Sequence, residues 1–252
     1  MMIFTLARRE LRSLFLSPLA WAILAIVQFI LAYLFLSQLQ EFLLIQPKLA
    51  AIENAPGVTE LVIVPLYGSA AFIMMLVTPL LTMRLISEER RNKSLSLLIS
   101  APVSMTEIIL GKYLGMLGFA AIMIFMMTLM PLSLYFAGTL DSGLLFTIVL
   151  GITLLLAAFI SLGLYMSSLT SQPTIAAMST FGVLLLLWII DWAGGKAEAA
   201  ASGLLEYLSM LRHFEAFTKG LFNSSDFIYY ILFISLFLIL SIRRLDGDRL
   251  QR

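Results

Sequence analysis

Residues 13–40 contain no Asp, Glu, Lys or Arg, and neither do residues 61–83, 113–140, 142–190 and 227–242. About 20 apolar residues in a helix cross the ~30 Å hydrocarbon layer of a bilayer. Backbone groups left unpaired in that layer cost several kcal/mol each, so apolar stretches of this length cross as helices. Residues 142–190 are too many for one crossing. They divide at Ser167-Ser168-Leu169-Thr170-Ser171-Gln172-Pro173, a polar, turn-prone cluster closed by a proline. The first crossing is expected over residues 18–37. The last run is short, and Arg243 and Arg244 complete it by reaching back to the interface. The expected fold class is an all-α polytopic membrane protein of about six transmembrane helices.

Composition agrees. Hydrophobic residues are 61% of the 252, and charged residues are 12%, about half the ~25% of a soluble domain. With no cysteine, disulfides, thiolate metal sites and cysteine nucleophiles are excluded, and one histidine, His213, cannot build a histidine metal site. Arg8, Arg9 and Arg12 precede the first apolar run in the manner of a signal peptide. That run exceeds an h-region of ~7–15 residues and no small-x-small cleavage site closes it, so it reads as a retained helix.

Charge placement predicts orientation. Arg8, Arg9, Arg12, Arg84, Arg90, Arg91, Lys93, Lys112, Arg243, Arg244, Arg249 and Arg252 fall on one side of a six-span arrangement. Lys48, Lys196, Arg212 and Lys219 fall on the other. By the positive-inside bias both termini of this multi-pass protein are expected to be cytoplasmic. The net charge of +1 gives no reason to expect a nucleic-acid partner.

No apolar core holds an ionisable side chain, although ion-coupled carriers, proton pumps and voltage sensors need them there. An intramembrane enzyme finds no carboxylate pair, histidine cluster or nucleophile–base pair. Gln28 reads as a helix-packing contact, Gly111-Lys112-Tyr113-Leu114-Gly115 as a seat for close helix approach, and the methionines as adaptable packing. No Gly-x-x-x-x-Gly-Lys-Ser/Thr phosphate loop occurs: Gly194-Gly195-Lys196 is followed by Ala, and Gly111-Lys112 by Tyr. No cofactor is expected on the chain itself.

One domain, residues 1–252, is expected, with three segments outside the spans. Residues 1–15 set Ile3, Leu6, Leu11 and Leu14 against Arg8, Arg9, Glu10 and Arg12, as in an amphipathic helix on the membrane surface. Residues 84–103 form the one substantial cytoplasmic loop. Its Glu88-Glu89-Arg90-Arg91 is followed by Ser94, Leu95, Leu97 and Leu98, a short helix charged at one end and leucine-rich at the other. Such a helix suits docking into a partner's groove, and a plain solvated loop is the alternative. Pro102 ends it, and Thr106-Glu107 can start the next helix. Residues 191–226 lie outside, with a short helix expected over 202–212 and a weakly helical opening at 193–201. Residues 41–60 extend the first span outward to about Pro56-Gly57.

These elements, in this order, resemble the ABC-2 family of export permeases. The likeness is carried by Arg9-Glu10-Leu11, by Glu88-Glu89-Arg90-Arg91 followed by Leu97-Leu98 and Pro102-Val103-Ser104, by Ile109-Leu110-Gly111-Lys112 and by Ser167-Ser168-Leu169-Thr170. Within the family the chain is most similar to the gliding-motility permease type, through residues 208–220, residues 226–230 and Arg243-Arg244-Leu245. It departs where the family usually has Gly-Thr-x-Glu and this chain has Lys93-Ser94-Leu95-Ser96.

The resemblance implies half of a translocation pathway, with ATP and Mg held by a separate cytoplasmic ATPase present in two copies. A second copy of the permease, or a related permease, supplies the other half. Glu88, Glu89, Arg90, Arg91, Ser94, Leu95, Leu97 and Leu98 then form the ATPase-coupling element. Arg9, Glu10 and Arg12 mark the interfacial helix, and His213, Phe214, Phe217 and Gly220 an external gate segment. ATP-driven approach of the ATPases would push on residues 86–100 and rearrange spans one, two and five. The rival expectation is a membrane scaffold for a cell-envelope or motility assembly that transports nothing.

Overall fold

A computed structural model describes residues 2–49, 56–94, 103–136, 140–194 and 209–250. Among them the chain is all helical: α1 Met2–Leu16, α2 Pro18–Leu49, α3 Val64–Thr82, α4 Ser87–Arg91, α5 Met105–Ser133, α6 Ser142–Leu169, α7 Pro173–Gly194, α8 Met210–Thr218 and α9 Ser224–Leu250. A π-helical turn, Thr59–Ile63, leads into α3. The helices built on α2, α3, α5, α6, α7 and α9 are long and apolar enough to cross a membrane.

Local chemistry places the helix starts. Ser104 and Glu107 form a reciprocal capping box at α5, and Asp141 accepts from the amides of Gly143 and Leu144 at α6. Pro173 opens α7 with a φ already suited to a first turn. The expected break between the fourth and fifth crossings falls at residues 170–172.

α6 is the hub, packing against α3, α5, α7, α8 and α9. Two-thirds (67%) of its apolar window is buried, against 22% for α7 and for α9, which therefore form the periphery. Association of helices in lipid rests on close packing and a few interhelical hydrogen bonds. Both are present in the core. Tyr67 meets Thr128 at 2.9 Å, the Tyr113 hydroxyl donates to the Ala157 carbonyl at 3.2 Å, and Gln28 donates to the Met123 carbonyl at 3.1 Å. Gln28 is thus the packing contact its isolation suggested.

In the external segment, where a helix over 202–212 is expected, a helix occupies Met210–Thr218: Ser209 caps it by accepting from the Arg212 amide, and Met210, His213, Phe214 and Phe217 make one apolar stripe. Residues 195–208, including the rest of that expectation, lie outside the described residues. The spanning helices also run past their charge-free cores: α5 begins at Met105 and holds Lys112 inside its second turn, and α9 begins at Ser224 and holds Asp226. α2 reaches Leu49 as expected, and residues 50–55 lie outside the description.

Candidate functional site

The chain's arginine-rich ends converge on one five-residue helix. α4 has no side-chain cap of its own. Instead Ser167, from the end of α6, accepts from the amides of Ile86 and Ser87, each at 3.1 Å. The Ser167 hydroxyl in turn donates to the Met83 carbonyl at 3.0 Å, and the Ser87 hydroxyl donates to the same carbonyl. A neighbouring helix therefore supplies the acceptor that a helix start requires.

Two ionic locks extend from α4 in different directions. Glu89 reaches the Lys112 ammonium at 2.8 Å, and Glu10 of α1 reaches it at 3.3 Å. The Lys112 side chain is only 7% exposed, and a cation so buried requires such partners. On the other side Arg90 donates to the Ser168 carbonyl at 2.7 Å and to Asp248 of α9 at 2.5 Å. Arg244 lies 4.0 Å from the second Asp248 oxygen. Three of the four charges of Glu88-Glu89-Arg90-Arg91 are thus distinguished: Glu89 faces α5 and α1, Arg90 faces α6 and α9, and Arg91 is exposed.

α1 reaches Lys112 because glycine lets it. A Cβ on Gly111 would fall 2.5 Å from the Leu6 Cβ, and one on Gly115 would fall 2.8 Å from the Ala7 carbonyl oxygen and 2.7 Å from the Glu10 Cβ. The Gly-x-x-x-Gly of residues 111–115 is a seat for the chain's own amino-terminal helix. Arg9 and Arg12 sit on the exposed side of that helix while Glu10 is turned inward.

α4 ends in a left-handed residue, Lys93, with φ +57°. Its amide donates to the Arg90 carbonyl at 3.2 Å, and the Ser94 hydroxyl donates to the Glu89 carbonyl at 3.3 Å. This is the helix-terminating position that glycine usually fills. Leu95, Leu97 and Leu98, expected to complete the coupling element, lie outside the described residues.

At the opposite end of the bundle α8 brings His213, Phe214 and Phe217 inward. His213 Nδ1 lies 2.6 Å from Asp226 Oδ1, and its ring stacks on Tyr229 with centroids 4.0 Å apart. Phe217 presses on α6 where a Cβ on Gly151 would fall 2.7 Å from its own. Gly220, at φ +74°, ends the helix: its amide donates to the Phe217 carbonyl and the Leu221 amide to the Ala216 carbonyl. That pair of bonds is the Schellman motif.

Sequence reasoning missed Lys112 as a site residue, along with Asp248 and Ser167. A lysine at the mouth of a span reads as one more interfacial charge. Its partners are 102 and 23 residues away. The only local signal is the Arg244–Asp248 spacing, which puts Asp248 on the arginine-bearing face of α9. Among the described residues no three His, Cys, Asp or Glu side chains converge as a metal site.

No curated protein matches the chain. A family model described as ABC-2 family transporter protein matches residues 4–247. With six crossing helices, a surface-type amino-terminal helix and a match over nearly its whole length, this chain belongs to the ABC-2 transporter family of membrane proteins.

Proposed function

We propose that this chain is the membrane-spanning subunit of an ATP-driven export complex, and that α4 with the residues after it receives the stroke of a separate ATP-binding-cassette ATPase. The observation that carries the reading is that one short helix on the basic end is tied by ion pairs to α5 and α9, by hydrogen bonds to α6 and, through Lys112, to α1. A helix of five residues has little stability of its own, so its position is set by these ties. Displacing it displaces what it holds.

In this reading Glu89 acts through Lys112 on α5 and α1, and Arg90 acts through Asp248 on α9. ATP and Mg are bound and turned over on the ATPase, and this chain does no covalent chemistry. Two ATPase copies face two permeases, either two of this chain or this chain with a related one. The basic end is cytoplasmic, the membrane is the bacterial cytoplasmic membrane, and residues 1–252 act as one domain. His213, Phe214, Phe217 and Gly220 form the external gate segment. Residues 208–220 and 226–230 favour the gliding-motility permease type within the family. The absence of ionisable groups from the apolar cores favours an amphiphilic or apolar passenger, or mechanical work, over a free ion.

The test is co-purification of the tagged chain from native membranes, wild type against a variant with Glu88, Glu89, Leu97 and Leu98 replaced by Ala. Capture of an ATP-binding subunit by wild type and its loss in the variant is expected. A stable, folded wild-type chain that captures no ATPase would overturn the reading and leave the membrane scaffold in its place.

A further inference from the structure

Between α1, the start of α2, the end of α3 and α4 lies a cavity of about 210 Å³. It is smaller than the roughly 300–1,000 Å³ of pockets that enclose a whole drug-sized ligand, so it suits a small polar group. Six of its lining residues are charged: Arg9, Arg84 and Lys112 against Glu10, Glu88 and Glu89. Lys112, Glu10 and Glu89 satisfy one another through the lock described above. The side chains of Arg9, Arg84 and Glu88 make no ion pair or hydrogen bond among the described residues. One oxygen of Glu89, Oε2, is buried with no hydrogen-bond donor. Among the described residues the exposed Arg9 and Arg84 guanidinium groups have no protein anion, and beside them Glu88 and the second oxygen of Glu89 have no protein donor.

The cavity has an apolar side as well. Leu14, Leu19, Leu80 and Leu81 line it, and Leu80 is 44% exposed on the surface of a membrane-spanning helix. The site therefore opens where the surface helix α1 turns into the first crossing, at the level where a bilayer presents its headgroups.

We propose that this cavity binds the phosphoethanolamine headgroup of a membrane phospholipid. Its phosphate sits between Arg9 and Arg84, its ammonium faces Glu88 and Glu89 Oε2, and its acyl chains run along Leu80 and Leu81. Guanidinium suits phosphate because its planar donors match the phosphate oxygens. A primary ammonium carries three N–H donors, as lysine does, whereas a quaternary choline has none to offer the orphaned carboxylate oxygen. An anionic headgroup without an ammonium would bring no positive charge to Glu88. The lipid then lies under the α4–α1 junction and braces it. This binding concerns the chain alone and needs no ATPase, so it stands or falls separately from the export reading.

The experiment is native mass spectrometry of the delipidated chain with phosphatidylethanolamine, phosphatidylcholine, phosphatidylglycerol or soluble glycerophosphoethanolamine added at equal concentration. One charge-assisted hydrogen bond is worth ~1.5–3 kcal/mol, so phosphatidylethanolamine should be retained at least about tenfold better than the other lipids. Arg84→Gln should weaken phosphatidylethanolamine and phosphatidylglycerol alike, and Glu88→Gln should reduce the preference between them. Equal retention of the choline or glycerol lipid by the wild-type chain would overturn the proposal. Binding of the soluble headgroup as tight as that of the lipid would overturn the assignment to a membrane source.

Discussion

Among the described residues are two short connecting helices, α4 at the basic end and α8 at the opposite end, secured by different physics. α8 is seated mainly by packing, beside one buried polar contact between His213 and Asp226. Phe214 and Phe217 are buried, Gly151 removes a side chain to admit Phe217, and the buried Tyr230 hydroxyl donates to the Met210 carbonyl at 2.8 Å. α4 is seated by charge and by capping borrowed from Ser167. The two also end differently at equivalent positions. Gly220 takes the left-handed conformation without strain, while Lys93 takes it at a cost of about 1–2 kcal/mol. Packing of apolar surface has one good arrangement and is not screened by salt as an ion pair is. An ion-pair lock can exchange partners and is weakened by salt. On the proposed function α8 is the part that stays and α4 the part that is moved.

The sharpest way to break this contrast is at the two anchors. Phe217→Ala should destabilise the chain by about 3–5 kcal/mol, by the same amount at low and high salt in detergent unfolding. Lys112→Met leaves Glu10 and Glu89 facing each other without their cation and should also cost about 3–5 kcal/mol. Here, adding Glu10→Gln and Glu89→Gln should recover most of the loss. If the triple variant is no better than Lys112→Met, Lys112 is packed rather than paired.

Gly115→Ala comes next. Its new methyl group meets the Ala7 carbonyl and the Glu10 Cβ, so α1 should be pushed off α5 at a cost of about 1–3 kcal/mol. Gly182→Ala has open space around its Cβ and should be neutral in the same assay. A cost at both positions would show a general intolerance of α5 and α7 rather than a seat for α1. The smallest effect is at the helix end. Lys93→Gly should stabilise α4 by about 1 kcal/mol, slowing amide exchange in residues 87–94, whereas Gly220→Ala should speed it in α8 by a similar margin.

The fold was more legible than the site because the two are written in different signals. Six crossings follow from charge-free runs and one polar break at residues 167–173, which are local properties of the chain. Asp141 and Ser104 sit immediately before helices they cap, and local sequence suffices for those as well. The locks are not local. Glu10, Glu89 and Lys112 come from three elements, and Arg90 meets Asp248 across 158 positions. Pattern identified Glu89 and Arg90 as charged members of a short helix but could not say that they face opposite ways. Gly111 and Gly115 announced a close helix contact without naming the partner, since either a second chain or a distant helix fits that spacing. The departure at Lys93 acquires its meaning only from a backbone angle. It is the glycine position of a helix terminus, occupied here by a residue that strains it.

The central claim is that α4 moves with a partner's ATP cycle and carries α9 with it. The chain has no native cysteine, so the exposed positions Asn92→Cys and Arg249→Cys can each be spin-labelled in turn together with Leu221→Cys, a reference outside both helices. Distances measured by double electron–electron resonance in the assembled complex should shift between the nucleotide-free and ATP-trapped states, and Asp248→Asn should broaden both distributions. An unchanged distance in a complex that is turning over ATP would contradict a moving α4 directly.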